Sequence, residues 1–258
     1  MDTEVIPKVT YDQIISETQA KAGKLRSSLP SLPTDQDLEP FLGKMWAMDR
    51  PLIDAIRRHV DAWGVRSPDR DYEGHLEWVA KNAAYVAKLE CDERKIFDTE
   101  LRTEIIQRAW RLGLLHDVQA WRGWQPIHQA EGMMATRQIL KDTNIQDKYL
   151  EEQVLLHDNL NVSARNDPAF DIPYFSVFAV DHLNWGIEWE ETRWKNSARK
   201  KIDPQVAIND QQLILKMNEL RDSSNLQQTK WGREVAIPYV KFGIEIANHI
   251  KRTFSRNQ

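Results

Sequence analysis

The sequence predicts an all-α protein, and three observations support this fold class. Apolar residues recur every three or four positions along most of the chain, which is the spacing of one face of an α-helix. No pair of alternating strand patterns is joined by an Asn-Gly or Asp-Gly turn, so we expect no β-hairpin. The chain also lacks a glycine-rich phosphate loop and an internal repeat, which would indicate other architectures.

The first three predicted helices lie before residue 65. One covers residues 13–29 and is broken by Pro30 and Pro33, since proline cannot continue a helix interior. A second covers residues 35–48. The third begins at Pro51, which suits a first helical turn, and ends near residue 64. We interpret residues 1–50 as an N-terminal helical arm and residues 51–258 as one larger domain.

The middle of the chain carries the strongest helical patterns. A helix over residues 72–89 has a continuous apolar stripe, and the next is capped by Asp98 or Thr99 and runs to His116. Further helices are predicted from Pro126, over residues 146–157, and from Tyr174 to about Trp194, with a polar loop over 159–173. Helices near 210–222 and 232–254 complete the chain, and Pro238 is expected to kink or restart the last one.

The composition is that of a soluble globular protein. Hydrophobic residues make up 41% of the 258 residues and charged residues 29%. The net charge of −4 gives no basic field that would favour nucleic acid. The single Cys91 excludes an intramolecular disulfide and a multi-cysteine metal site. No apolar run approaches the roughly 18 residues of a membrane span, so we expect a cytoplasmic protein with neither a membrane nor a nucleic-acid partner.

Histidine and aspartate residues stand at the ends or in the middle of the apolar helices. His116 and Asp117 close one helix, and Asp181 lies in the middle of another. An unpaired carboxylate among apolar residues is costly to bury, so Asp181 is expected to meet a cation. Neutral imidazoles and carboxylates are good ligands for transition metals. The sequence therefore predicts a metal site built from His75, His116, Asp117, His128, His157 and Asp181.

This ordered set resembles the HD-domain superfamily, whose members are α-helical, metal-dependent and mostly phosphohydrolases. The resemblance covers about residues 70–195. It rests on His75 at the start of one predicted helix and on Leu-Leu-His116-Asp117 at the end of another. The run from His128 to Gly132 begins the next helix, and Ala-Val-Asp181 lies inside an apolar helix. The two additional histidines match members with two or more metals, which include HD-GYP phosphodiesterases and diiron oxygenases resembling myo-inositol oxygenase. A Gly-Tyr-Pro signature is absent, so a cyclic dinucleotide substrate is not supported.

The resemblance implies one or two divalent transition-metal ions: iron, manganese, cobalt, nickel or zinc. His75, His116, Asp117 and Asp181 would hold one ion, and His128 and His157 would hold a second, with Asp117 between them. The implied activity is hydrolysis of a small phosphate ester or a nucleotide by a metal-activated water.

The remaining predicted site residues have roles in that reaction. Asp117 or Asp158 would act as the base, while Arg122 and Lys81 would bind the phosphate and offset its charge. Two other functions use the same residues: a diiron oxygenase, and a regulatory binding module without catalysis. The sequence does not separate the hydrolase from the oxygenase, and the intact ligand order argues against the regulatory module. The sequence does not fix the oligomeric state.

Overall fold

The protein is all-α in the part that the structure describes. This computed structural model describes residues 11–62, 72–118, 128–188 and 211–255, and they contain no β-strand. None of the described helices is long and apolar enough to cross a membrane. In chain order the helices are α1 (Tyr11–Arg26), α2 (Asp35–Met48), α3 (Arg50–Ala62), α4 (Tyr72–Glu93), α5 (Thr99–Leu115), α6 (His128–Asp142), α7 (Leu150–Leu156), α8 (Pro168–Glu188), α9 (Gln211–Arg221), α10 (Ser224–Gln227) and α11 (Ile237–Ser255).

The helices belong to two compact units. One unit comprises Met1–Ser31, His182–Asp222 and Glu234–Gln258, and in it α1 and α9 both pack on α11. The other comprises Leu32–Asp181 and Ser223–Arg233, and its main helix pairs are α4 with α5 and α6 with α7. The predicted division after residue 50 rests on the sequence and stays a prediction. All the predicted metal ligands lie in the second unit.

Most predicted helix ends agree with the structure. The Asp98 side chain caps α5 by accepting hydrogen bonds from the backbone N–H groups of Glu100 and Leu101, both at 2.9 Å. Pro238 lies in the first turn of α11, directly after a π-helical turn over Gly232–Ala236, so the last helix does restart there.

The start of α8 was predicted six residues too late, at Tyr174. The helix begins at Pro168, because the Asp167 carboxylate accepts a hydrogen bond from the Ala169 N–H at 3.0 Å and caps it. Pro173 is tolerated inside this helix, although it cannot donate to the Ala169 carbonyl. The Arg108 guanidinium on α5 donates to that carbonyl instead, at 2.6 Å.

Helices α4 and α5 cross at a very short distance, near the ends that carry their histidines. A Cβ atom added at Gly113 would lie 2.5 Å from the Cα atom of Ala80, so only glycine fits at this crossing. Gly113 lies three residues before His116, and Ala80 lies five residues after His75. The crossing therefore helps to bring these two histidines together.

Replacing Gly113 with alanine is expected to lower the free energy of unfolding by at least about 2 kcal/mol, because the added methyl group meets backbone atoms that cannot move aside easily. Chemical denaturation measures this change. The matched control is Gly43→Ala on α2, where nothing lies within 4 Å of the added atom. That variant should be as stable as the wild type or gain about 0.5–1 kcal/mol from helix propensity. Equal stabilities for the two variants would contradict the close crossing.

Candidate metal centre

Side chains from five helices meet in one cluster. His75 lies in the first turn of α4, Asp181 lies within α8, and His128 is the first residue of α6. The pairs His116-Asp117 and His157-Asp158 directly follow α5 and α7. The structure thus brings the six predicted ligands together, and Asp158 joins them: His75, His116, Asp117, His128, His157, Asp158 and Asp181.

The nitrogen and oxygen atoms of the cluster are 3–4 Å apart. Nε2 of His75 and Nε2 of His116 each lie 3.4 Å from Oδ1 of Asp181. Oδ2 of Asp117 lies 4.0 Å from His75 Nε2 and 3.8 Å from His116 Nε2. The other oxygen of Asp117, Oδ1, lies 3.2 Å from Nε2 of His157.

Two of the imidazoles are oriented by the backbone. Nδ1 of His116 lies 2.8 Å from the Gly113 carbonyl oxygen, and Nδ1 of His157 lies 2.6 Å from the Val154 carbonyl oxygen. A carbonyl can only accept, so both Nδ1 atoms carry the proton and donate. The neutral form of each ring then presents a lone pair at Nε2 toward the carboxylates, which is the tautomer that a metal ligand requires.

The same two Nε2 atoms are buried without a hydrogen-bond partner among the described residues. Buried polar atoms nearly always have a partner, so these two atoms need an explanation. A cation bonded at about 2.0–2.2 Å holds adjacent ligand atoms roughly 3.0–3.5 Å apart. The distances from Nε2 to the facing carboxylate oxygens, 3.4 Å at His116 and 3.2 Å at His157, match that spacing. The described His and Asp groups therefore could hold a metal ion.

When no cation is bound, the histidines and carboxylates of the cluster shift the pKa values of one another. Burial by itself lowers the pKa of His157, but the facing carboxylates of Asp117 and Asp158 outweigh burial and raise the pKa to about 9. In His116, burial is likewise outweighed by Asp117 and Asp181, and the pKa is raised. Burial would raise the pKa of Asp117, yet His116 and His157 lower it. The carboxylates thus favour the protonated form of both imidazoles when no cation is bound, because they raise the pKa of each ring.

The metal-free protein should lose stability as the pH rises from 6.5 to 9. The pKa of His157 is raised from 6.5 to about 9 in the folded state, so its contribution is fully present below pH 6.5 and disappears as the pH passes 9. The expected loss is about 1–3 kcal/mol. Urea unfolding of chelator-treated protein at pH 6, 7.5 and 9 measures it. His157→Gln should flatten this dependence, and a flat wild-type profile would contradict the assignment.

Buried polar contacts fix the turn that carries His157 and Asp158. The Asn225 side chain from α10 donates to the Asn159 carbonyl at 2.6 Å and accepts from the Val162 N–H at 3.0 Å. The Tyr174 hydroxyl of α8 donates to the Leu156 carbonyl at 2.9 Å. We call Asn225 and Tyr174 the turn clamp. Sequence reasoning missed both roles, because Asn225 lies 66 residues from its partner Asn159 and carries no periodic signal.

The structure describes one of the two cationic side chains that were predicted to bind phosphate. Lys81 lies on α4, and its Nζ is 4.0 Å from Oε2 of Glu77 one turn earlier. Its contact with a substrate stays a prediction. Arg122 lies in the segment between α5 and α6, outside the described residues.

Comparisons with known proteins give no identification. No family model matches the chain. No curated protein and no solved structure shows significant similarity to it. The resemblance to the HD-domain superfamily therefore rests on the ordered ligand residues alone and stays a prediction.

Proposed function

We propose that this protein is a metal-dependent phosphohydrolase that acts on a small phosphate ester or a nucleotide. The observation that carries the proposal is the pair of buried Nε2 atoms on His116 and His157, which have no hydrogen-bond partner among the described residues and which face carboxylates at ligand spacing. A set rich in imidazole favours iron, manganese, cobalt, nickel or zinc over magnesium.

Part of the cluster is exposed. The side chains of His116 and His157 are only 0% and 4% exposed, while those of His75, Asp117 and Asp158 are 24%, 23% and 16% exposed. Water and a small phosphorylated substrate would therefore reach the cluster at these three side chains. A bound cation would lower the pKa of such a water and polarise the phosphoryl oxygens. Asp117 or Asp158 would take up the proton of the water, and Lys81 and Arg122 would offset the phosphate charge.

The test is metal analysis of protein purified without chelator, followed by assays of phosphate release from p-nitrophenyl phosphate and from nucleotides with the metal found. We expect release that stops when the metal is chelated and returns when the metal is restored. The control variant is Asp142→Asn, which should release phosphate as the wild type does. Asp142 is exposed at the end of α6, and its carboxylate accepts a hydrogen bond from Gln138. A metal-loaded protein that releases no phosphate from any of these esters would count against the hydrolase.

A diiron oxygenase is the second candidate function. Asp117 turns one oxygen toward His116 and the other toward His157, which is how a carboxylate bridges two iron ions. An electron paramagnetic resonance signal from a mixed-valence iron pair, together with no phosphate release, would favour this function. Protein that contains no transition metal and whose melting temperature does not rise with manganese would favour a regulatory binding module.

A further inference from the structure

His157 lies at the end of a very short helix. The preceding helix, α7, comprises only the seven residues Leu150–Leu156, and the described residues 157–167 that follow are not helical. Helices of about two turns are marginal by themselves, because nucleation is costly and few hydrogen bonds follow it. The backbone N–H of His157 reaches the Val154 carbonyl oxygen only at 3.4 Å. The position of the His157 ring therefore depends on contacts from outside α7.

The turn clamp supplies such contacts on both sides of this histidine. The Tyr174 hydroxyl donates to the carbonyl oxygen one residue before His157, at 2.9 Å. The Asn225 side chain donates to the carbonyl oxygen two residues after it, at 2.6 Å, and accepts from the Val162 N–H at 3.0 Å. The two clamp side chains also touch each other, with 3.4 Å between Nδ2 of Asn225 and the Tyr174 hydroxyl oxygen. A shift of either side chain therefore reaches the turn directly.

The segment that carries Asn225 is itself anchored on α4. Asn225 is fully buried. A few residues later, the backbone N–H groups of Lys230 and Trp231 donate to Oε1 of the buried Glu90 near the end of α4, at 2.6 and 3.4 Å. We call residues 223–231 the strap. Because the strap is held on a long helix, it gives Asn225 a fixed position from which to hold the turn.

The clamp matters to the metal centre because His157 has to meet a ligand from another helix. Its Nε2 atom lies 3.2 Å from Oδ1 of Asp117, which follows α5. The separation of these two atoms depends on how the end of α7 is held relative to the end of α5. Ligand atoms at about 2.0–2.2 Å from one ion tolerate little change in that separation.

We propose that Asn225 and Tyr174 are positioning residues of the metal centre: they set its affinity for metal by holding the turn that carries His157. Both act on the backbone of this turn and not on an ion. The inference rests on the metal centre of the proposed function and deepens it. Groups that orient a ligand from behind contribute about 10–100-fold to metal affinity, and we expect an effect of this size from the clamp.

The experiment measures the affinity of the chelator-treated full chain for Mn²⁺ by isothermal titration calorimetry. We expect Asn225→Ala to raise the dissociation constant about 10–100-fold. The number of ions bound at saturation should equal that of the wild type, because every histidine and aspartate of the cluster is retained. Elemental analysis measures this number.

Tyr174→Phe is the conservative variant. It removes the hydroxyl but keeps the ring that packs against Phe170 and Phe178, so it should fold and should also weaken Mn²⁺ binding. Since Asn225 and Tyr174 hold the same turn, the double variant should lose less affinity than the product of the two single losses. Clamp variants that bind Mn²⁺ as tightly as the wild type would overturn the positioning role.

The control for a loss of stability alone is Leu52→Ala. Leu52 is fully buried on α3, which carries no residue of the cluster. Its truncation leaves a cavity and lowers the melting temperature. At a temperature at which circular dichroism shows all variants folded, Leu52→Ala should bind Mn²⁺ with wild-type affinity. Equal weakening of Mn²⁺ binding in Leu52→Ala and in the clamp variants would show a general effect of stability and overturn the positioning role.

Amide hydrogen exchange gives a second readout that needs no turnover. The Asn159 N–H donates to the Leu156 carbonyl, and the Val162 N–H donates to Asn225. In metal-free Tyr174→Phe both amides should exchange faster than in the wild type. Bound Mn²⁺ should slow their exchange in both proteins, because coupling between the metal and the clamp is reciprocal. Exchange at these amides that does not respond to Mn²⁺ would overturn the positioning role, even if Asn225→Ala folds poorly.

The results also separate the positioning role from the proposed function. Unchanged Mn²⁺ affinity in the clamp variants, together with phosphate release by the wild type, would overturn the positioning role and leave the hydrolase intact. Weakened Mn²⁺ binding in the clamp variants, without phosphate release by the metal-loaded wild type, would overturn the hydrolase and leave the positioning role intact. Wild-type protein that binds no Mn²⁺ would overturn both.

Discussion

Asp117→Ala is expected to remove most of the bound metal and all measurable turnover. The Asp117 carboxylate faces three histidines of the cluster, with Oδ2 toward His75 and His116 and Oδ1 toward His157. Its loss removes a ligand from both sides of the cluster at once. Removal of a residue that merely orients a ligand already costs about 10–100-fold in metal affinity, so we expect a larger loss here.

The measurements are elemental analysis after purification without chelator and phosphate release with added metal. Asp142→Asn should retain the metal content and rate of the wild type, since its exposed carboxylate lies at the opposite end of α6 from His128. The far-ultraviolet circular dichroism of Asp117→Ala should match that of the wild type, because Asp117 is no part of the apolar core. A variant that keeps the full metal content would refute the ligand role of Asp117.

Asp181→Asn should weaken metal binding and so reduce the thermal stabilisation that metal gives to the wild type. Metal at a concentration 100 times its dissociation constant adds about 2.7 kcal/mol to the stability of the folded state. For a chain of 258 residues this corresponds to a rise of roughly 5–10 °C in melting temperature. Asparagine keeps the shape of the side chain but removes the charge that faces His75 and His116.

The melting temperature of the metal-free protein distinguishes a metal-ligand role of Asp181 from a purely structural role. In the metal-free state Asp181 both attracts the neighbouring imidazoles and repels the carboxylate of Asp117. These effects oppose each other, so we expect the metal-free melting temperature of Asp181→Asn to stay near that of the wild type. Melting temperatures of the wild type and of Asp181→Asn, each measured with and without manganese, provide the comparison. A loss of stability that is equal with and without metal would show a structural role instead.

The helices and the order of the clustered histidines and aspartates could be predicted from the sequence because both depend on local patterns. The apolar stripes of α4 and α5 mark these helices directly, and His75 and His116 lie at their ends. An ordered set of histidines and aspartates at helix ends could therefore be recognised before any contact was known. The start of α8 was wrong by six residues, because Pro173 suggested a loop and its compensation by Arg108 comes from a distant helix.

Features that depend on distant contacts could not be predicted in this way. Asp158 follows His157 directly in sequence, and its neighbours there give no sign that it faces His128, thirty residues earlier. The turn clamp likewise joins Asn225 to a turn that precedes it by more than sixty residues. The packing of α1 on α11 joins the two ends of the described chain, where no local pattern could indicate it.

The turn clamp also sets an order of events during synthesis on the ribosome. Every histidine and aspartate of the cluster has been made once Asp181 is added, but Asn225 follows 44 residues later. At about 5–20 residues per second, this interval lasts roughly 2–9 s. During that time the turn bearing His157 and Asp158 lacks the side chain that accepts from Val162 and donates to Asn159. A nascent chain therefore carries every histidine and aspartate of the cluster before the turn with His157 and Asp158 has all its polar contacts.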